Sequence, residues 1–309
     1  MLRDESRGSS GSRRWPWWVM TGTAVWWTGG CVDESQPLEI DGDRAMNWVE
    51  QQVAIGPRIP GTEAHAECAE FLEAQLRTWT DEVKVQRVRQ GDNEIVNLVA
   101  SFRPSAGDRI FLGAHWDTRP MADADPDPTK RSLPVPGAND GASGVAVLLE
   151  VARVLAESPP PRGVDLFFFD AEDGGESGQA ETWAIGARTL AEALGDYRPR
   201  LGIVVDMVGD LDLELRPEGH SVANASRQVR WIWGLAEDLG ADSFVAGVGA
   251  TVMDDHVPFL ERGIPTVDII DFDYEYWHTT QDTPDKVSPS SMAEVGRVLL
   301  GVVYAETLP

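Results

Sequence analysis

The sequence predicts an α/β protein, a single three-layer sandwich whose mainly parallel mixed sheet is flanked by helices. Short apolar runs of strand length alternate with longer segments that carry apolar residues at helical spacing. The chain has 309 residues, 42% of them hydrophobic, which is enough to bury one large core. No internal repeat and no second domain boundary is visible, so one folded domain is expected.

The elements follow in order along the chain. Strands are predicted at 82–88, 95–102, 109–114, 164–169, 201–205 and 265–270, and helices at 43–53, 62–78, 141–157, 227–239 and 289–306. Ser288 is a good N-cap for the last helix, with Pro289 at its first position. The segment 121–137 is rich in Pro and Asp, and it is interpreted as a solvated loop. A calcium site at Asp123, Asp125 and Asp127 is a weaker explanation.

The charge of the chain excludes one class of partner. Lys and Arg total 26 against 51 Asp and Glu, which gives a net charge of −25. A surface this acidic repels phosphate backbones, so no nucleic-acid partner is expected. The two cysteines provide no disulfide framework.

The first residues are typical of an export signal. Arginines precede an apolar stretch at 15–27, which is too short for an ordinary membrane span and ends in small residues before Cys31. A cleaved signal peptide and a bacterial lipoprotein signal with a lipidated Cys31 both fit. We therefore predict an export signal at 1–31, a tether at 32–42 and a catalytic domain at 43–309. The protein would be periplasmic or a membrane-anchored lipoprotein, and its only membrane contact would be a lipid at Cys31.

Polar residues that can bind metal follow four buried strands. His115 and Asp117 follow the strand at 109–114, and the Asp170–Asp173 segment follows 164–169. Asp206 follows 201–205, and the last strand contains Asp268 and leads toward His278. The carboxyl ends of parallel strands meet at the edge where open α/β sheets bind ligands. Crowded carboxylates repel one another unless a cation joins them, and mixed oxygen and imidazole donors suit zinc.

Several of these residues have a simpler explanation when taken alone. Asp140 lies in a turn of small residues, 137–144, that opens the helix at 141–157, where an aspartate most often caps the helix. The same turn also lets the backbone approach a metal closely. His65 and His220 are interpreted as ordinary surface residues.

Taken together, the segments resemble the M28 superfamily of zinc aminopeptidases, which includes the glutaminyl-peptide cyclotransferases. The resemblance runs from about residue 43 to 308 and implies the zinc aminopeptidase-like fold. The motifs that carry it are His115-x-Asp117, 137–144, Asp170-Ala171-Glu172-Asp173, Asp206, Asp254-Asp255-His256-x-Pro258-Phe259 and Trp277-His278-Thr279.

The resemblance implies a role for each matching residue. Asp140, Asp173 and His278 match the zinc ligands of the cyclases, and Glu172 matches the general acid and base. Asp206 and Asp254 match carboxylates of the catalytic hydrogen-bond network. Trp277 and Asp268 are expected at the substrate. A pocket tryptophan of the animal cyclases has no clear match at 174–179, and Trp183 cannot be placed.

Two reactions remain open at this point. A cyclase would bind one zinc and convert the N-terminal Gln of peptides or proteins to pyroglutamate with release of ammonia. An aminopeptidase would bind two, the second at His115 and Asp206 with Asp140 bridging, and would cleave the first peptide bond. Asp254, Asp268 and Trp277 favour the cyclase of the animal type, bacterial branch. A non-catalytic binding protein is disfavoured because it would not need Glu172.

Overall fold

Six strands form one mixed sheet in the structure of the protein, a computed structural model that describes residues 39–91 and 93–309. The strands are β1 (Val83–Gln90), β2 (Asn93–Phe102), β3 (Arg109–His115), β4 (Gly163–Phe169), β5 (Leu201–Asp206) and β6 (Thr266–Ile270). Their order is β1-β2-β4-β3-β5-β6. The last four strands in this order are parallel, and β1 and β2 add an antiparallel edge. The predicted mainly parallel mixed sheet is confirmed.

Eight helices surround this sheet in the described part of the chain. They are α1 (Gly42–Ile55), α2 (Glu63–Leu76), α3 (Ala142–Glu157), α4 (Ile185–Ala193), α5 (Gly219–Asn224), α6 (Ser226–Asp238), α7 (Val257–Glu261) and α8 (Pro289–Tyr304). The sequence predicted α1, α2, α3, α6 and α8 but not the other three. Helices α5 and α7 have only six and five residues, which is too short for an apolar period to show.

The two faces of the sheet bury different sets of side chains. Along β3, Ile110 and Leu112 join the core beneath α1, α3 and α8, whereas Phe111 between them points to the opposite face. Phe111 packs there on Phe259 of α7, with ring centroids 4.6 Å apart. Successive strand residues point to opposite faces, so a strand that is apolar throughout serves both helix layers. The predicted three-layer sandwich follows from this arrangement.

The two helix starts that the sequence singled out differ in outcome. Ser288 caps α8 by accepting a hydrogen bond from the backbone N–H of Ser291, as expected. Asp140 does not cap α3, because Gly141 occupies the cap position and no side chain bonds the first turn. Asp140 is therefore available for another role.

The N-terminal predictions fall largely outside the described residues. The export signal at 1–31, Cys31 and most of the tether precede residue 39. Ile40, at the end of the predicted tether, is buried and would touch any side chain added at Gly296 of α8, so packing against the domain begins there. No helix among the described residues is long and apolar enough to cross a membrane.

Candidate metal centre and active site

The carboxyl ends of three neighbouring strands meet at one edge of the sheet. His115 is the last residue of β3, Asp206 is the last of β5, and β4 leads directly into the turn Asp170–Asp173. The chain reverses its direction of travel across the sheet here, since β4 and β5 lie on opposite sides of β3. A crevice at such a reversal is where open α/β sheets bind ligands.

Asp140, Asp173 and His278 form a compact buried cluster in this crevice. The Nε2 atom of His278 lies 3.0 Å from Asp173 Oδ1 and 3.9 Å from Asp140 Oδ2. The donor atoms of all three residues lie within 4.8 Å of one another. This geometry brings together the three residues that the resemblance assigned to zinc.

The donor atoms of this cluster fit a cation. Asp140 Oδ2 and both carboxylate oxygens of Asp173 are buried and have no hydrogen-bond partner in the described part of the chain. Burial, followed by the negative charge of Asp140, raises the pKa of Asp173 to about 6. An unpaired carboxylate is costly to bury, and a dication would satisfy it and displace its proton. Two carboxylates and an imidazole suit zinc.

A second cluster shares Asp140 and contains one internal hydrogen bond. His115 Nε2 lies 3.1 Å from Asp206 Oδ1, with which it forms a hydrogen bond, and 3.2 Å from Asp140 Oδ1. Burial, partly offset by the charge and hydrogen bond of His115, raises the pKa of Asp206 to about 7. The second-metal positions that the resemblance named are thus brought together as well.

The turn that presents Asp140 depends on one glycine. Gly141 has a φ of +91°, and a Cβ atom there would lie 2.8 Å from the carbonyl oxygen of Asp117. Asp282 accepts hydrogen bonds from the backbone N–H groups of Asn139 and Asp140 at 2.8 and 3.2 Å. This fixed turn explains why small residues surround the aspartate.

Glu172 is held on the turn after β4. Asp117 is fully buried and accepts the backbone N–H groups of Glu172 and Asp173 at 3.0 and 3.3 Å. Burial and then the charge of Asp254 raise the pKa of Glu172 well above its ordinary value. A carboxyl group whose pKa is raised in this way can act as a general acid and as a general base.

A pocket of about 480 Å³ opens over the cluster. Trp277 and Trp183 both line it, and both stack on the His278 ring, with centroids 3.7 and 6.2 Å away. Trp183 was not placed by the sequence because its distance from the acidic turn follows no simple spacing. Phe272 packs on Trp277 at 5.2 Å and extends the aromatic wall.

The two remaining predicted site residues, Asp254 and Asp268, lie at different depths below the pocket surface. Asp254 lines the pocket beside Glu172, Asp206 and the metal ligands. Asp268 is fully buried on β6 and is not among the residues that line this pocket, so the expected contact with substrate is replaced by a position behind Asp254. Asp268 and Ile270 share one face of β6, but Ile270, at the carboxyl end of the strand, lines the pocket and Asp268 lies two residues deeper.

The aspartates of the 121–137 loop are not all solvated. Asp123 forms two hydrogen bonds to Arg119, at 2.9 and 2.8 Å, and its Oδ1 lies 3.3 Å from His278 Nδ1. Asp125 is buried and accepts the backbone and hydroxyl donors of Thr280. The prediction of a solvated loop is therefore wrong for Asp125, whereas Asp123 and Asp127 are exposed.

His65 also differs from its prediction. It is buried on the inner face of α2, with Nε2 2.8 and 2.9 Å from the two oxygens of Asp170. Its ring stacks on Trp116 at 4.5 Å. A histidine within an amphipathic helix can face inward when a buried carboxylate is available, and Asp170 was not considered as that partner. His220 is half-buried at the start of α5.

Known proteins share this architecture. The sequence model of peptidase family M28 matches residues 97–303 of this chain. A glutaminyl-peptide cyclotransferase-like protein of Bos taurus is 27% identical over 284 residues, which cover 81% of this chain and 72% of the bovine protein. The glutaminyl cyclase of Bacteroides thetaiotaomicron, solved with N-acetylhistamine, has a TM-score of 0.83 and 35% identity over 87% of this chain and 99% of its own. A Zn-dependent exopeptidase from Parabacteroides distasonis ATCC 8503 also has a TM-score of 0.83 and 35% identity, over 87% of this chain and 99% of its own.

These matches confirm the resemblance and the fold that it implied. The similarity to zinc-dependent neighbours implies zinc, in agreement with the unpartnered oxygens at the crevice. The chain therefore belongs to peptidase family M28 and is close to glutaminyl-peptide cyclotransferase-like proteins.

Proposed function

We propose that this enzyme is a zinc-dependent glutaminyl-peptide cyclotransferase, which converts an N-terminal Gln to pyroglutamate and releases ammonia. The observation that carries the proposal is the difference between the two clusters. Asp140 and Asp173 have buried oxygens without hydrogen-bond partners beside His278, whereas His115 Nε2 and Asp206 Oδ1 form a hydrogen bond with each other. This difference favours one zinc, as in the cyclase interpretation of the sequence. A relative is a glutaminyl-peptide cyclotransferase-like protein, and a structural neighbour is a glutaminyl cyclase.

The site residues have separate roles in the proposed reaction. A zinc ion held by Asp140, Asp173 and His278 would supply Lewis-acid polarisation of the Gln side-chain carbonyl. The α-nitrogen bonds to the side-chain carbonyl carbon, and the bond from that carbon to the amide nitrogen breaks. Glu172 takes a proton from the attacking amine and delivers one to the departing nitrogen, which leaves as ammonia. Protons, bonds and charges balance without another reactant.

The pocket wall supports ring closure in two ways. Trp183 and Trp277 exclude water from the side of His278, so the folded-back substrate is held close to its reacting partner. Asp254 and Glu172 on the wall attract a peptide α-amino group, which carries a positive charge before it reacts. A pocket with these features selects for a free N-terminus.

An aminopeptidase is the second candidate, and one observation favours it. His115, Asp206 and Asp140 also lie within 4.8 Å of one another, so a second metal could occupy that cluster after the His115 hydrogen bond is broken. Glu172 would then act as the base for an attacking water molecule.

Metal content and substrate choice together separate the two candidates. We expect purified protein to contain one zinc per chain and to turn over a Gln-Ala peptide much faster than a Leu-amide. Two stoichiometric zincs with faster hydrolysis of the Leu-amide would establish the aminopeptidase. Full activity without zinc would contradict both.

We also propose that the protein is exported, on the basis of the arginine-rich and apolar residues that precede Cys31. If Cys31 is lipidated, Cys31→Ser moves the protein from the membrane fraction to the soluble fraction. Wild-type protein that is already soluble in the periplasm or medium would contradict the lipid anchor and leave a cleaved signal.

A further inference from the structure

A buried chain of acidic and imidazole groups lies behind the pocket wall at Asp254. It begins at Glu218, the cap of α5, continues through His256 and ends at Asp268 on β6. All three side chains are buried, with exposures of 1%, 0% and 0%. Buried charged groups without a metal or a partner are costly, so the contacts along this chain need an explanation.

Glu218 is a fixed acceptor at one end. Its Oε1 accepts the backbone N–H groups of His220 and Val252 at 2.7 and 3.1 Å, and its Oε2 accepts that of Ser221 at 2.7 Å. Burial alone would raise the pKa of Glu218, but the contact with His256 and the backbone donors lower it to about 2. Glu218 is therefore an anionic anchor that cannot rotate.

His256 bridges this anchor to β6. Its Nε2 lies 3.0 Å from Glu218 Oε2, and its Nδ1 lies 3.5 Å from Asp268 Oδ2. His220, whose ring centroid is 6.2 Å away, is the other histidine at this place. Among residues 39–91 and 93–309, no lysine or arginine lies within ion-pair distance of Asp268 or Asp254. His256 is thus the basic group that Asp268 faces.

His256 also belongs to the turn that carries Asp254. The carbonyl oxygen of Asp254 accepts the backbone N–H of Val257 at 3.0 Å, and its Oδ1 accepts the backbone N–H of Asp255. Asp254 lines the pocket, so a shift of this turn changes which oxygen Asp254 offers to a ligand there. Burial, followed by the charge of Asp254, also raises the pKa of Asp268 well above its ordinary value.

We propose that His256 is a positioning residue for the reaction: anchored by Glu218 and facing Asp268, it fixes the turn that carries Asp254 and thereby the orientation of Asp254 at the substrate amine. The ligand atoms of Glu218, His256 and Asp268 lie within 4.8 Å of one another, but their other contacts favour a positioning role over a metal site. The two ring nitrogens of His256 face different carboxylates, and the oxygens of Glu218 already accept three backbone donors. A metal would have to displace these bonds.

Two amide replacements of His256 distinguish its two contacts. The amide nitrogen of glutamine occupies roughly the place of Nε2 and keeps the contact with Glu218. The amide nitrogen of asparagine occupies the place of Nδ1 and keeps the contact with Asp268.

The two variants should differ in turnover. His256→Gln should lower kcat about 10-fold, less than the roughly 100-fold expected for a group that transfers the proton itself. It should also change the pH profile of kcat and leave KM nearly unchanged. His256→Asn should recover much of kcat, and His220→Gln is the matched control that should behave as wild type.

The measurements use zinc-loaded enzyme and record kcat, KM, zinc content and thermal stability for each variant. The inference rests on catalysis in this pocket, so each variant is compared on whichever substrate, Gln peptide or Leu-amide, the wild type turns over. The substrate that the wild type turns over tests the proposed function. The ratio of variant to wild-type kcat on that substrate tests the positioning role of His256. An unchanged pH profile in His256→Gln would overturn the inference, as would equal losses in both His256 variants. Loss of a zinc on Glu218→Gln would overturn it too, because the chain would then be a metal site.

Discussion

Glu172 is the side chain on which the proposed reaction depends most. It is held by a backbone hydrogen bond to Asp117, lines the pocket next to Asp254, and is followed in sequence by the ligand Asp173. An amide at this position would keep the shape of the side chain but would not accept the proton of the attacking amine.

We therefore expect Glu172→Gln to retain zinc and lose roughly 100-fold or more in turnover, in line with typical acid–base contributions. Steady-state kinetics and metal analysis on the same preparation check this. Glu181→Gln is the control, since Glu181 is exposed on the segment that follows the same turn. A Glu172→Gln enzyme within a few-fold of wild type would remove Glu172 from the mechanism.

The sequence identified residues whose chemistry is local and missed those whose role depends on three-dimensional contacts. Asp140, Asp173 and His278 stand beside recognisable turns or aromatic residues, so their position at the crevice was predictable. Arg119 and Trp183 belong to no motif, and only the fold brings Arg119 to 5.0 Å from the Trp183 ring. The roles of Glu172, Asp206 and Asp254 in catalysis remain predictions.

At the scale of elements, the loop between β3 and α3 holds the two sides of the metal cluster together. Arg119 donates to the backbone carbonyl groups of Asp173 and Gly175, at 2.9 and 3.1 Å. Its partner Asp123 lies against His278 Nδ1, on the side of the ring away from the cluster. A carboxylate behind a ligand histidine orients its ring and makes it a better donor.

Asp123→Asn should therefore weaken zinc binding about 10-fold to 100-fold, the usual cost of removing such a partner. Competition with a chelator of known affinity measures this directly. Asp127→Asn is a matched control on the same loop, because Asp127 is exposed and bonds only Thr129. Equal zinc affinity in the two variants would show that Asp123 does not support the ligand.

The elements themselves were predictable where their apolar period was long or their caps were distinct. Helix α8, with Ser288 and Pro289 at its start, was predicted to within two residues at its end. Helix α4 was missed although Ala187, Leu190 and Ala191 have helical spacing, because the Gly-rich turn before it obscured its start. The orientation of β1 and β2 depends on pairing across the sheet, and single-strand patterns do not contain that information.

At the scale of the whole molecule, a chain with a net charge of −25 gathers its buried carboxylates at one edge of the sheet. In the metal-free chain, burial is the largest cause that raises the pKa of Asp173 to about 6 and those of Asp206 and Asp282 to about 7. The ordinary pKa of each carboxyl group is 3.8. At a pH between 3.8 and the raised value, the group is protonated in the folded state and ionised in the unfolded state.

The free energy of unfolding of the metal-free protein should therefore fall as pH rises from about 4 to about 7. Zinc replaces the proton on Asp173, so the increase in Tm on adding zinc should grow over the same range. Thermal unfolding of metal-free and zinc-loaded protein across this range tests both statements. A metal-free Tm that rises with pH would show that these carboxyls are ionised in the folded chain.

The most direct test of the central claim is the mass of the product formed from a peptide that begins with Gln. We predict that the enzyme removes one ammonia and leaves the chain intact, because in the proposed mechanism the site binds one zinc and directs the α-amine to the side-chain carbonyl. The Glu172→Gln enzyme should leave the peptide unchanged over the same period. Free Gln together with a peptide shortened by one residue would contradict the account and make the enzyme an aminopeptidase.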